Sequence, residues 1–255
     1  MVVGTGPIVY REASIEEADD GRAANLAALR LRKSVAQESD CRGMRLAIDG
    51  QIKSRNAREE GDIALRRNPA DFATGFVPGS LNIGLNGDFA VWAGTLIAPN
   101  ANILLVTEPG REIEAIERLS RIGYDHVAGY LKGGFEAWHS SDKPGDHVNI
   151  ITASDIQDLQ NTSDYALIDV RNRKEAAKDR MTGAVHIPLN ELAAKADTLH
   201  KEHKWLVYCA GGYRSMIAAS FLKLQGFHNV ASVEGGIANV RKTAPELIEL
   251  GMETE

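Results

Sequence analysis

The chain has 255 residues, 44% hydrophobic and 25% charged, with a formal net charge of −6. This is globular usage, enough for one large domain or two small ones; it excludes a largely disordered chain and argues against a nucleic-acid partner held through phosphates. No apolar run approaches the roughly 20 residues of a membrane span, residues 1–10 lack the basic flank of a secretory leader, and two cysteines are too few for a disulfide framework. The expectation is a cytoplasmic protein with no membrane contact and with Cys41 and Cys209 as free thiols. All seven histidines lie beyond residue 125 without metal-ligand spacing, so no metal is expected.

In chain order, Ser14–Lys33 is charged, alanine-rich and helix-prone, with Ala23, Leu26 and Leu29 on one face. Residues 1–44 are read as a mostly helical N-terminal extension, and the polar stretch 50–62 as a loop. Two copies of one plan follow. Residues 103–138 and 205–240 each run as an apolar strand, a glycine-containing loop, a helix, Gly-Tyr or Gly-Phe, a second strand and Gly-Gly. Thr107 falls opposite Cys209 and Arg111 opposite Arg214, the first loop being one residue shorter. Upstream, FVPGSLNIGLN (76–86) echoes MTGAVHIPLN (181–190). A period of about 100 residues is too long for a solenoid and suits a small domain. Domain 1 is therefore placed at 45–143 and domain 2 at 147–255, joined by the polar, turn-rich Lys143-Pro144-Gly145-Asp146.

Domain 2 is the clearer copy. Ala166–Val170, Leu206–Cys209 and Val230–Val233 are short apolar runs suited to buried strands. Ile217, Phe221 and Leu224 recur at helical spacing, and Ser154 is read as the N-cap of a short helix carrying Ile156 and Leu159. Strands alternating with helices predict an α/β fold: in each domain a small, parallel-rich sheet flanked by helices on both faces.

The segment Val207-Tyr208-Cys209-Ala210-Gly211-Gly212-Tyr213-Arg214-Ser215 carries the chemistry. A strand ends at Cys209 and a helix starts near Tyr213. The sulfur then lies where unpaired amide N–H groups and the positive end of a helix dipole favour an anion. Gly211 and Gly212 have no Cβ, so the loop can curl with its amides inward. Cys209 is the candidate nucleophile, and Ala210, Gly211, Gly212, Tyr213, Arg214 and Ser215 are the candidate substrate-binding residues. Arg214 brings a fixed positive charge for an anionic substrate or intermediate.

This loop resembles the active-site loop of the rhodanese sulfurtransferase family. Leu167-Ile168-Asp169-Val170-Arg171 resembles that family's Asp-Val-Arg strand, Gly183–Pro188 (GAVHIP) its GAxxIP segment, and Glu234-Gly235-Gly236 its late Gly-Gly. The resemblance covers about 150–245, with one departure: Asp179-Arg180-Met181-Thr182 stands where the family usually has Gly-His-Ile-Pro. Domain 1 resembles the family over about 62–140, through Asn68–Gly75, Val77–Ile83 and Gly133-Gly134. There, Thr107 replaces the cysteine and Leu65-Arg66-Arg67 stands where Asp-Val-Arg would. The resemblance implies a tandem rhodanese with an inactive first copy and an active second copy. Sulfane sulfur would pass through a Cys209 persulfide, from thiosulfate or glutathione persulfide to a thiol or cyanide acceptor, without cofactor. Residues 81–94 also resemble the rhodanese part of fusions with metallo-β-lactamase-fold persulfide dioxygenases, so such a module is a candidate partner.

Two other functions stay open. Cysteine phosphatases and arsenate reductases of related architecture use C-x5-R, whereas this loop is C-x4-R, a smaller ring that favours sulfur over phosphate. A non-catalytic regulatory or docking module is the other reading. Asp169 and Arg171 are expected to support the loop rather than react. His186 is read as a satisfied core histidine, Trp92, Trp138 and Trp205 as packing residues, and Glu112, Glu114 and Glu117 as a solvated helix face. Cys41 has no supporting motif and is read as a small buried hydrophobe.

Overall fold

A computed structural model describes residues 37–39, 63–66, 68–125, 127–162 and 165–251. The 14–33 helix, Cys41 and the 50–62 loop lie outside the described residues.

Domain 1 is built from β1 (Gln37–Ser39), β2 (Ile63–Arg66), β3 (Ser80–Asn82), β4 (Ile103–Thr107) and β5 (Val127–Leu131), in the order β1-β5-β4-β2-β3. Domain 2 is built from β6 (Asn149–Ile151), β7 (Ala166–Asp169), β9 (Val185–His186), β10 (Trp205–Tyr208) and β11 (Val230–Val233), in the order β6-β11-β10-β7-β9. The two orders are one permutation, and every pair in both sheets is parallel. A small antiparallel ribbon joins β8 (Asp179–Met181) to β12 (Ile248–Leu250). One boundary is corrected: Gln37–Ser39 falls within the extension read at 1–44, outside domain 1, yet it pairs with β5 as the edge strand of the first sheet, equivalent to β6.

Helices fill the crossovers, as parallel pairing requires. In domain 1 they are α1 (Pro69–Thr74), α2 (Phe89–Leu96), α3 (Glu112–Ser120) and α4 (Gly134–His139). In domain 2 they are α5 (Ala153–Thr162), α6 (Arg173–Lys178), α7 (Leu189–Lys195), α8 (Tyr213–Leu224) and α9 (Gly236–Thr243). The strands and the start of α8 fall within a residue of the positions read from sequence. The cap of α5 does not: Thr152 Oγ1 accepts from Asp155 N at 3.3 Å, and Ser154 lies inside the first turn.

Helix α8 fixes how the domains meet. Residues Ser215–Leu222 are all buried, so the helix has no solvent face along that stretch. A helix apolar nearly all round is a helix packed on more than one side. Here one side lies on its own sheet and another on β3, where Asn82 N donates to Ser220 Oγ at 2.9 Å. The main hydrophobic core is accordingly continuous, running from Phe72, Leu81 and Phe89 to Met216, Ile217 and Leu222. A second core lies on the outer face of sheet 2, around Ile156, Leu206, Ile237 and Leu247. The 143–146 linker is tied down by the Lys223–Asp146 ion pair at 2.8 Å and by Trp138 Nε1 donating to Pro144 O at 2.9 Å. Among the described residues no helix is long and apolar enough to cross a membrane.

Candidate active site

The paired glycines after β11 hold the loop from below. Gly235 (φ 62°) caps α9 and Gly236 (φ 58°) begins it, both in the left-handed region that glycine alone enters without strain. A Cβ on Gly236 would lie 2.4 Å from Cys209 O, so only glycine lets α9 approach so closely. Ile237 N and Ala238 N then donate to Cys209 O and Ala210 O at 2.9 and 3.1 Å.

Cys209 is 1% exposed. Its Sγ accepts from Gly212 N at 3.1 Å, the inward amide that the glycines were expected to supply. Beside it runs a chain of buried hydroxyls: Sγ lies 3.7 Å from Ser215 Oγ, Ser232 Oγ donates to Ser215 Oγ at 2.9 Å, and Ser215 Oγ donates to Gly212 O at 3.1 Å. On loss of the thiol proton, Ser215 can turn its single hydrogen from Gly212 O to the sulfur while still accepting from Ser232.

Arg214 is held by a partner. Its two Nη atoms form a bidentate pair with Glu175 at 2.7 Å each. Glu175 also completes a capping box at the start of α6: Glu175 N donates to Asn172 Oδ1 at 2.9 Å, and Asn172 N donates to Glu175 Oε2 at 3.2 Å. Arg214 in turn holds the Glu175 carboxyl below its usual range. Tyr213 turns away from the sulfur. Its hydroxyl donates to Gly84 O of domain 1 at 2.8 Å and is pushed up to about 12 by burial and by Asp88. Ala210 and Gly211 stay at the loop surface, half-buried and exposed respectively.

Beneath the loop, Asp169 and Arg171 form a buried brace. Arg171 Nε bonds both Asp169 oxygens at 3.0 Å, and its Nη1 reaches Asp179 Oδ1 at 3.0 Å. Arg241 of α9 closes on the far side of Asp179 at 2.7 and 2.9 Å. Burial opposes the charge on Arg171, but Asp169 and then Asp179 more than offset it and hold the guanidinium above its usual value. Arg241 and Arg171 together hold the Asp179 carboxyl below its usual range. Tyr208 lies under the Arg171 guanidinium, 5.7 Å from it, and accepts from Met181 N at 3.0 Å. His186 Nε2 lies 2.9 Å from Arg171 O.

Sequence reasoning picked out Cys209, Ser215, Asp169 and Arg171, which gather here, and passed over Glu175, Asp179 as an ion-pair partner, Ser232 and Gly87. The Asn172-x-x-Glu175 capping box was a readable local signal for Glu175. Nothing local marks Ser232 or Gly87. A cleft of about 1010 Å³ opens between the domains, lined among others by Asn86 and Arg111 of domain 1 and Gly211, Tyr213 and Ser232 of domain 2.

Two parallel α/β units in the same strand order, one ending its central strand at a cysteine loop, define a tandem arrangement. The Rhodanese-like domain family matches residues 55–141 and 152–243. The chain therefore belongs to the rhodanese-like family and carries its domain twice. Among relatives, it is 36% identical over 88 residues to "Putative sulfurtransferase YtwF" of Bacillus subtilis (34% of this chain, 84% of that protein). It is 31% identical over 81 residues to a sulfurtransferase of Allochromatium vinosum (32% and 76%). A rhodanese-related protein structure from Thermoplasma volcanium is 33% identical over 40% of this chain and 98% of its own, with a TM-score of 0.36.

Proposed function

We propose that this protein is a sulfurtransferase whose chemistry resides in the second domain, at Cys209. The observation that carries this reading is the Gly212 amide donating to Cys209 Sγ inside a glycine loop that opens α8. The family and the names of its relatives support the same class of reaction.

The Cys209 thiolate attacks the outer sulfur of thiosulfate or of a glutathione persulfide. A sulfur–sulfur bond forms to Cys209, and the donor's own bond breaks, sulfite or glutathione thiolate leaving with its electron pair. An acceptor thiolate or cyanide then attacks the terminal sulfur, and Cys209 departs as thiolate. No oxidant or reductant is consumed, and the step is split in two as nucleophilic catalysis requires. The Gly212 amide and the Ser215 hydroxyl stabilise negative charge on sulfur at both stages. Arg214, paired with Glu175, stiffens the rim of the loop.

Domain 1 (45–143, extended by the strand Gln37–Ser39) is inactive in this reading, because Thr107 stands at the sulfur position. Domain 2 (147–255) is the active unit, the protein works in the cytoplasm, and a persulfide dioxygenase module is the partner for which residues 81–94 argue. Intact mass after exposure to each donor tests the reaction. One added sulfur atom, removable by cyanide or glutathione, is expected. A phosphoryl adduct after treatment with a phosphate ester would point to phosphatase chemistry, and no adduct with any donor to a docking module.

A further inference from the structure

Resting on that reading, we propose that domain 1 acts on the reaction through Tyr213, a positioning residue that ties the sulfur-binding loop to the Gly84–Gly87 turn. Tyr213 is the first residue of α8 and directly follows Gly212, whose N–H donates to Cys209 Sγ at 3.1 Å. Gly212 lies at φ 103° and has no side chain by which the fold could hold its peptide. Its orientation depends on its neighbours. On one side, Ser215 Oγ donates to its carbonyl at 3.1 Å. On the other, Tyr213 crosses the domain boundary and donates from its hydroxyl to Gly84 O at 2.8 Å.

The Tyr213 ring is seated as well as tethered. A Cβ on Gly87 would lie 2.4, 2.7 and 2.8 Å from three ring carbons, so any side chain there must displace the ring. Gly87 does not occupy the left-handed region, so the demand for glycine comes from this contact and not from backbone strain. The domain with Thr107 at the loop position presents a fitted socket for one residue of the other domain's active loop. Its contribution is to hold the Gly212 amide on the sulfur.

The test uses the full chain and two readouts: the rate of Cys209 persulfide formation at saturating thiosulfate, and amide hydrogen exchange of the 209–213 peptide. Tyr213→Phe, which keeps the ring and loses the tether, is expected to slow persulfide formation by roughly fivefold. Gly87→Ala should slow it by at least as much, and both should raise exchange in the loop while leaving the KM for thiosulfate near its wild-type value. In a Tyr213→Ala background Gly87→Ala should add nothing, because no ring remains to be displaced. Val91→Ala, on an exposed position of α2, should change neither readout. Unaltered rate and exchange in both variants would overturn the proposal. So would a Gly87→Ala effect that persists without Tyr213, since it would then belong to the folding of domain 1. Should the wild-type chain form no persulfide with any donor, the sulfurtransferase reading fails. Exchange alone then decides the tether: faster loop exchange in the variants supports it, equal exchange overturns it.

Discussion

The two domains share a backbone and differ at the positions where chemistry would occur. Leu65 pairs in register with Val106 and Asn82, as Asp169 pairs with Tyr208 and His186. Gly134 approaches Thr107 O as Gly236 approaches Cys209 O, each leaving a would-be Cβ at 2.4 Å. Thr107 therefore occupies the position of Cys209 in three dimensions. Its Oγ1 is buried without a hydrogen-bond partner, whereas the Cys209 sulfur receives an amide. Both loop arginines are held by carboxylates. Arg111 uses Glu114 in its own helix, while Arg214 uses Glu175 from α6. Among the described residues the buried Asp169–Arg171–Asp179–Arg241 brace is found in domain 2; the sequence of domain 1 has Leu65 and Gly75 at the two acidic positions. Both copies have the paired glycines that shape the fold, and the second has in addition the loop cysteine and the acidic residues of the brace.

The largest expected effect breaks the asymmetry outright. Cys209→Ser should reduce thiosulfate:cyanide transfer to background, since an alkoxide carries no sulfane sulfur, while Cys41→Ser should leave it intact. Retained transfer in Cys209→Ser would move the chemistry elsewhere.

Next comes the brace. Asp179→Ala leaves Arg171 buried with one carboxylate partner, and should lower stability by about 2–3 kcal/mol in denaturant melts. Asp179 also gives the brace a pH signature. Its folded carboxyl lies below the unfolded value near 3.8, so the stabilisation is complete above that value and is lost as pH falls through the folded one. Wild type should therefore lose melting temperature in acid more steeply than Asp179→Asn; parallel curves would contradict the ion-pair account.

A smaller effect is expected from Ser232→Ala. It removes the hydroxyl that donates to Ser215, and should slow persulfide formation roughly fivefold without changing the fold. An unchanged rate would leave Ser232 a packing residue.

The smallest effect is an expected failure. Thr107→Cys in the Cys209→Ser background should gain no added sulfur, because Glu108 and Pro109 stand where the active loop has Ala210 and Gly211. Glu108 repels an anionic donor, and Pro109 lacks an amide N–H. A clear sulfur adduct would mean that only the thiol had been lost.

Much of this was legible in the sequence because buried parallel strands read as continuous apolar runs. The repeat, the central strands and the Cys209 loop follow from that. Gln37–Ser39 did not, since a three-residue polar edge strand carries no apolar pattern and is defined only by pairing with β5. The Ser154 cap was misplaced by two residues because Thr152 and Ser154 are both capping residues, and only the Asp155 N bond tells them apart. Glu175–Arg214, Ser232–Ser215 and Tyr213–Gly84 join residues distant in sequence, the last across a domain boundary. Asp179 was legible as a departure from the family's glycine, but its two arginine partners come from β7's end and from α9.

The central claim is that one sulfur atom per chain resides on Cys209. Peptide-resolved mass spectrometry of the full chain after a single exposure to thiosulfate, before and after cyanide, tests it most directly. The account predicts added sulfur on the Cys209 peptide alone, absent once cyanide has been added. Sulfur on the Cys41 peptide with none on the Cys209 peptide would contradict it.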